Sequence, residues 1–457
     1  MPTLPLRMNE QKATGANLLN SIRNEVGGIY ADLVPEADGT LANLREIGNI
    51  MMNFEVAKNN FIDALVNRIG RVWITSKLFD NPWRVFKKGL LEYGETVEEI
   101  FVNIARGYDY RPDDDTQNPF QRKLPDVLAA FHSMNFQYHY DSTISNDQLR
   151  QAFLSWQALT DFIARIIDAV YSGANEDEFI VMKYLLAREI LNGNVGTVTI
   201  PEVTADSARN VVTTMIAQSN NLTYMSDAYN YAGVATYTNK DDQFFILNSQ
   251  FAATVDVEVL AVSFNMDKAE FMGHIIGVNT FSLNALETKR LNTLFENRAG
   301  YTPLTESEIQ QLNTISAVIV DRNYFMIFDN YYNMTQIYDP LKLNWNYFYH
   351  TWKTFSVSPF SNAMAFTSQT SGVTSVSVSP GTATVAKGGT AKFTATVVTT
   401  GFAPKSVTWS VNGTASTISA DGTLSVGAEE TEASLTVTAT STYDAEKSGT
   451  ATVTVQS

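Results

Sequence analysis

The chain has 457 residues, 44% of them hydrophobic and 18% charged, the composition of an ordinary globular protein of roughly two to three domains. A formal net charge of −16 argues against a broad basic face for nucleic-acid phosphates. The absence of cysteine excludes disulfides, thiol catalysis and zinc sites built on Cys, and leaves the redox compartment open.

At the N-terminus, "MPTLPLRMNEQKATGANLL" lacks an apolar signal core, so ordinary signal-peptide export is not expected. No apolar run reaches the roughly 18 residues of a membrane span. Helices are expected at about 17–26 and 55–69. Residues 83–145 then form an excursion with little periodic apolar pattern. "WRVFKKGLLEYGETVEEIFVNIA" runs outward, "RGYDYRPDDDTQNPFQRKLPD" reads as a tip, and "VLAAFHSMNFQYHYDSTI" returns. So long a segment without its own core suits an arm that packs on another subunit. Trp83, Phe86, Phe101 and Phe120 are its candidate subunit contacts.

The clearest helix runs from about Asn146 to Ser172. Ser145 and Gln148 make a capping box, and Leu149, Phe153, Trp156, Leu159, Ile163, Ile166 and Val170 recur at helical spacing. At about 1.5 Å per residue it is ~40 Å long, the length of a spine. A second helix, about Glu176–Leu191, lies between Asn175 and Gly193. From 200 to 368 the pattern is α+β. Residues 206–219, "SQFAATVDVEVLAVSFN" and "MDKAEFMG" read as helices. "QFFILN", "HIIGVNTF", "SAVIVD" and "NYFMIFD" read as strands, the last two as a hairpin over "DRN". The strand "LNWNYFYHTWKTF" (343–355) is aromatic on both faces, with Trp345, Tyr347 and Tyr349 on one and Phe348, His350 and Trp352 on the other. Such a strand is sandwiched inside a domain or at a subunit contact, so Trp345, Tyr347, Tyr349 and Trp352 are candidate core of the 200–368 region.

From about 371 the composition turns rich in Ser and Thr, and short alternating strands are separated by "KGG", "NGT" and "ADG" turns. Seven strands in this length fit an immunoglobulin-like sandwich, with Phe393, Trp409 and Leu424 as candidate core. A polar stretch, "TSQTSGVTS", reads as the linker before it.

Motifs for chemistry are missing. There is no Walker A loop, G-x-S-x-G elbow or H-E-x-x-H, and no two of the four histidines stand at metal-ligand spacing on a helix. "DDD" at 113–115 reads as a solvated loop tip rather than a cation site. The chain is therefore expected to be structural, not an enzyme, with no catalytic, cofactor or metal residues. Rival readings are a cell-surface adhesin or S-layer protein with an Ig-like module, which would need an export signal, and a glycan-cleaving enzyme, which would need a carboxylate pair.

"LKLNWNYFYHTWKTFSVSPFSNAMAFTS" resembles the end of the core domain in major capsid proteins of the small phi29-like podophages. "FIDALVNRIG", "NPWRVFKKG", "TVEEIF", "AFLSWQALTDFIARIIDAVY", "DVEVLAVSFNMDKAEFMG" and "DRNYFMIFDN" follow that family in the same order. The segment at about 287–314 departs from it by appearing longer, and there Thr305 with Glu308 can cap a short helix. The resemblance implies an α+β, HK97-like fold. On it, 1–82 joins the peripheral domain, 83–145 is the extended loop lapping a neighbour, 146–199 is the spine helix and peripheral domain, and 200–368 is the axial domain. "SVSVSPGTATVAKGGTAKFTATV" and "ISADGTLSV" resemble the bacterial Ig-like group 2 (BIG2) module, implied at 369–457 on the outer surface. The implied partners are further copies in hexamers and pentamers of an icosahedral or prolate head, a scaffolding protein and a portal. Double-stranded DNA is enclosed without specific binding, and the outer module is expected to decorate the shell, either with weak contact to host-envelope glycans or as decoration alone. The implied location is the virion, after assembly in the host cytoplasm.

Overall fold

The computed structural model describes residues 15–72, 79–91, 96–105, 107, 125–145, 150–151, 153–154, 168–204, 206–255, 274–296, 298 and 300–456. The chain divides into two units. One comprises Met1–Thr96, Ser133–Phe179 and Ile327–Phe355, the other Val97–His132, Ile180–Met326 and Ser356–Ser457. Most of the expected spine helix, the loop tip with Phe120 and Asp113–Asp115, and the helices expected through 256–273 lie outside the described residues.

In the first unit four helices come first: α1 (Gly15–Val26), α2 (Gly28–Leu33), α3 (Leu41–Asn53) and α4 (Glu55–Val72). Apolar spacing predicts α1 and α4. The start of α3 is set by Thr40, whose hydroxyl accepts from the Asn43 amide while its own N–H and O–H donate to Asp38. Leu19 and Ile22, then Leu44, Ile47 and Met51, then Ala57, Phe61 and Ala64 recur every three or four residues and are buried together. Gly48 lies close against Phe153. A Cβ there would lie 2.8 Å from Cβ of Phe153, so a larger residue would push the two segments apart.

These helices cover a sheet of β1 (Lys87–Leu90), β9 (Phe325–Asp339), β10 (Asn344–Val357) and β4 (Phe136–Ser145), in that order, numbered by position in the chain. β10 and β4 are antiparallel from Asn344 opposite Ser145 to Lys353 opposite Phe136. Trp345, Tyr347 and Tyr349 alternate along the covered face, and Tyr171 meets Tyr349 edge-on at 4.8 Å. They are core residues, but of this unit and not of the 200–368 region in which the sequence sets them. Trp352 is not core at all. It lies on the opposite face, 38% exposed, against Tyr331 at 4.8 Å. Alternation within a strand is a local property, whereas the core it serves depends on its partner strands, here β1, β9 and β4.

The second unit holds α5 (Gly173–Leu191) from Ile180 onward, which ends before Gly193 at φ +76°. Its sheet runs β5 (Gly196–Thr199), β11 (Ala363–Thr367), β8 (Ile315–Asp321), β6 (Gln243–Asn248), β7 (Ile275–Val278). β6, β8 and β11 are antiparallel neighbours, and the edge strands β5 and β7 pair parallel. "QFFIL", "ISAVIV" and "AMAFT" are buried at every position, the pattern of strands covered on both faces. Val211, Val212 and Met215 of α6 (Ala208–Asn221) and Phe251 of α7 (Ser249–Thr254) pack with that sheet in one core. β8 and β9 follow one another but belong to different sheets, so the expected hairpin over "DRN" is not formed. α8 (Ala285–Phe295) and α9 (Glu306–Leu312) each start with a complete capping box, Asn284 with Glu287 and Thr305 with Glu308. A two-stranded ribbon, β2 (Thr96–Val102) and β3 (Val127–Ser133), completes the part before the C-terminal strands.

Those strands are β12 (Gly372–Ser379), β13 (Thr382–Ala386), β14 (Thr390–Lys392), β15 (Thr394–Thr400), β16 (Val407–Val411), β17 (Thr417–Ile418), β18 (Thr423–Ser425), β19 (Ser434–Ser441) and β20 (Ser448–Gln456). They form the sheets β12-β15, β13-β20-β19-β16 and β14-β18-β17. Phe393 and Leu424 are buried with Leu435, Val437 and Val453, while Trp409 is half-buried and touches both cores of this region. Gly422, at φ +81°, lies against the Trp409 indole, where a Cβ would approach to 3.0 Å. The expected linker is shorter than its composition suggests, because β12 already begins at Gly372. Ser368 N–H donates to Thr314 O, and the Ser371 hydroxyl accepts from the Phe402 amide. Gly193 touches the same region, since a Cβ on it would lie 2.5 Å from Cα of Pro404.

Candidate assembly surfaces

In the first unit two lysines and two carboxylates form a closed ring of charge. Lys353 Nζ contacts Glu178 and donates to Asp329 at 2.8 Å. Lys87 Nζ reaches Glu178 at 3.0 Å and Asp329 at 2.8 Å. Asn81 Nδ2 donates to the remaining Glu178 oxygen at 2.8 Å. Burial alone would raise both carboxyls, but the Lys353 and Lys87 ammonium groups outweigh it and hold them below their ordinary range. Burial alone would lower the Lys353 ammonium, yet Glu178 and Asp329 raise it. Four signs balanced this way brace β1, β9, β10 and the start of α5.

In the second unit Glu99 anchors the ribbon. One of its oxygens accepts from the Ser358 hydroxyl at 2.7 Å, and the other lies 3.1 Å from His132 Nε2. His132 Nδ1 meets the Ser356 hydroxyl at 2.8 Å, and Phe101 stacks on Phe360 at 5.4 Å. The opposite side of the ribbon is open and, past Thr96 and Glu98, apolar. Ile100, Val102 and Ile104 follow one another at every second residue, and Phe131 of β3 is 67% exposed. A polar anchor inside and an aliphatic and aromatic face outside is the arrangement of a surface awaiting a partner.

The sequence-expected contacts divide on this point. Trp83 and Phe86 are fully buried within the chain, edge-to-face with each other at 6.5 Å, and Trp83 meets Phe179 at 5.7 Å. They are internal packing and not subunit contacts, because the turn before β1 folds back on the start of α5. Phe101 turns inward to Phe360, and Phe120 lies outside the described residues. The exposed residues of the ribbon are the ones sequence reasoning missed. Their signal was the period-two run Ile100, Val102, Ile104 in a segment with too few apolar residues for a core of its own. In the 287–314 segment, Lys183 forms a buried pair with Glu287 at 3.0 Å and Arg188 bonds Glu308 at 2.7 Å. Among the described residues no three His, Asp or Glu side chains converge as a metal site.

The described residues form a mixed α/β architecture. It superposes on the capsid structure of Staphylococcus phage Andhra with a TM-score of 0.50 at 14% identity, covering 64% of this chain and 86% of that one, an HK97-like fold. The model of the phi29-like phage major capsid protein family matches residues 19–367. The major capsid protein of Bacillus phage PZA is 36% identical over 431 residues, 93% of this chain and 89% of that protein. That of Streptococcus phage Cp-1 is 27% identical over 77% of this chain and 94% of its own length. The chain belongs to the phi29-like phage major capsid protein family. Its function is structural: copies of it assemble into the capsid shell of the virion.

Proposed function

We propose that the subunit builds its lattice of hexamers and pentamers by laying the outer face of the β2–β3 ribbon on a neighbouring copy. The observation that carries this is the ribbon itself, held from within by Glu99 and His132 and apolar on its open side. Burying an aliphatic or aromatic side chain stabilises by roughly 1.5–3 kcal/mol, so a few such residues per subunit supply assembly energy at every lattice position. The reading narrows the extended loop from 83–145 to the ribbon segment Val97–His132, since β1 and β4 belong to the first unit's sheet, and keeps 146–199 as the spine and peripheral domain and 200–368, less 327–355, as the axial domain. A scaffolding protein and a portal are its assembly partners. A net charge of −16 suits a shell that encloses DNA without binding it specifically. The C-terminal strands form a BIG2 module at 369–457 on the outer surface, where weak glycan contacts would be multiplied by copy number. Buried cores of its own and the phrases quoted above support that module.

The test is the pair Ile100→Asp and Phe131→Asp. The two side chains are 59% and 67% exposed, so the double variant is expected to melt like the parent subunit. Co-expressed with scaffold, it is expected to give at least tenfold fewer closed shells by electron microscopy. A normal yield would remove the ribbon from the interface.

A further inference from the structure

We propose that His139 and His350 form a two-imidazole site for a divalent transition metal of the copper, nickel and zinc class. The two residues are directly opposite in the antiparallel β4–β10 ladder, so their side chains leave the sheet on one face. Their ring centroids are 5.8 Å apart and the planes are inclined by 39°. A metal–nitrogen bond of about 2.0–2.1 Å places a ring centre about 3.2 Å from the ion, so two imidazoles on one ion have centres at most about 6.4 Å apart. The observed spacing lies inside that limit and needs only rotation about the side-chain torsions. The ladder on either side fixes both backbones in advance.

The face is open to solvent. His139 is exposed, and His350 is partly exposed with Nε2 3.4 Å from the Thr335 hydroxyl. Asp141 stands two residues from His139 on the same face of β4 and adds negative charge beside the pair. The other two histidines are spoken for. His132 is buried with both ring nitrogens engaged, and His274 bonds Gln243 O at 3.0 Å while stacking on Phe244. With two protein ligands and water in the remaining positions, the site suits ions that favour imidazole and discriminates against magnesium and calcium, which favour oxygen. A bound ion would join β4 to β10 and stabilise the folded subunit by mass action.

The experiment uses full-length, untagged subunits titrated with NiCl2, CuCl2, ZnCl2 and MgCl2, read by calorimetry and by thermal melting. His139→Gln and His350→Gln are compared singly, and since neither side chain is buried both variants are expected to fold. One ion per chain is expected to bind in the micromolar range with a raised melting temperature, and magnesium is expected to have no effect. At an ion concentration 100-fold above its dissociation constant the folded-to-unfolded ratio rises about 100-fold. Either single substitution is expected to weaken nickel or copper binding at least tenfold and abolish the shift in melting. No binding by the parent chain at millimolar metal would overturn the proposal. So would unchanged affinity in both single variants, which would mean that isolated imidazoles or other groups take the ion.

Discussion

Replacing Lys353 by Met tests how the first unit is held together. The ammonium sits between Glu178 and Asp329, 5% exposed, and its loss leaves two carboxylates facing Lys87 alone. Glu178 is itself 2% exposed, so water cannot replace the missing partner. Removing one member of a buried pair costs about 3–5 kcal/mol, far above the ~1 kcal/mol ceiling of a surface pair. With a urea slope of roughly 3 kcal/mol/M, the midpoint is expected to fall by roughly 1–1.7 M in tryptophan fluorescence. Adding Glu178→Gln to Lys353→Met restores charge balance, one lysine to one carboxylate. The double variant is therefore expected to be less destabilised than the sum of the two singles. The carboxyls of Glu178 and Asp329 are depressed in the folded state. Their contribution is complete above the ordinary carboxyl values of about 3.9–4.3 and is lost as pH falls through the folded ones. The Lys353 ammonium is raised, so its share is complete below about pH 10.4 and is lost only at still higher pH. A Lys353→Met subunit within ~1 kcal/mol of the parent, with strict additivity in the double variant, would refute the reasoning, because the ring would then behave as a solvated surface pair.

Thr305→Ala removes the hydroxyl that accepts from the Glu308 amide, and is expected to cost about 1 kcal/mol in chemical denaturation, with faster amide exchange at the start of α9. In the C-terminal region the Ser416 hydroxyl, backed by the Ala415 and Glu432 amides and Thr414, holds the Glu430 carboxyl far below its ordinary range. Glu430→Gln is therefore expected to lower the melting temperature of that region at neutral pH and to have progressively less effect as pH falls through the acid range; an equal effect at all pH values would count against the ion. Truncation after Ser368 is expected to leave shells that close and retain DNA, because β12–β20 enclose their own cores, with loss confined to surface binding; heads that burst on packaging would make the region a clamp.

Local chemistry determined much of this protein before any long-range contact is considered. α1 and α4 follow from apolar residues at three- and four-residue spacing, α5 from its boundary residues Asn175 and Gly193, and α9 from the Thr305–Glu308 box, because a helix is set by neighbours within about one turn. The buried strands β6 and β8 follow from unbroken apolar runs, and the C-terminal strands from alternation between turns. Family membership was legible too, since ordered blocks of sequence carry it. What the tertiary structure alone decided is where those elements pair. β8 and β9 are adjacent in the chain and lie in different sheets, and β10 serves the core beneath α1–α4 because β4 lies beside it. Trp83 and Phe86 had the composition of a contact and became interior, while Ile100 and Phe131 remained open. The Lys87–Glu178–Lys353–Asp329 ring joins four distant segments, none of whose own sequence marks its charge for burial. A charge becomes structural only when folding brings its opposite within hydrogen-bond reach and excludes water from both, and no spacing along the chain records that distance.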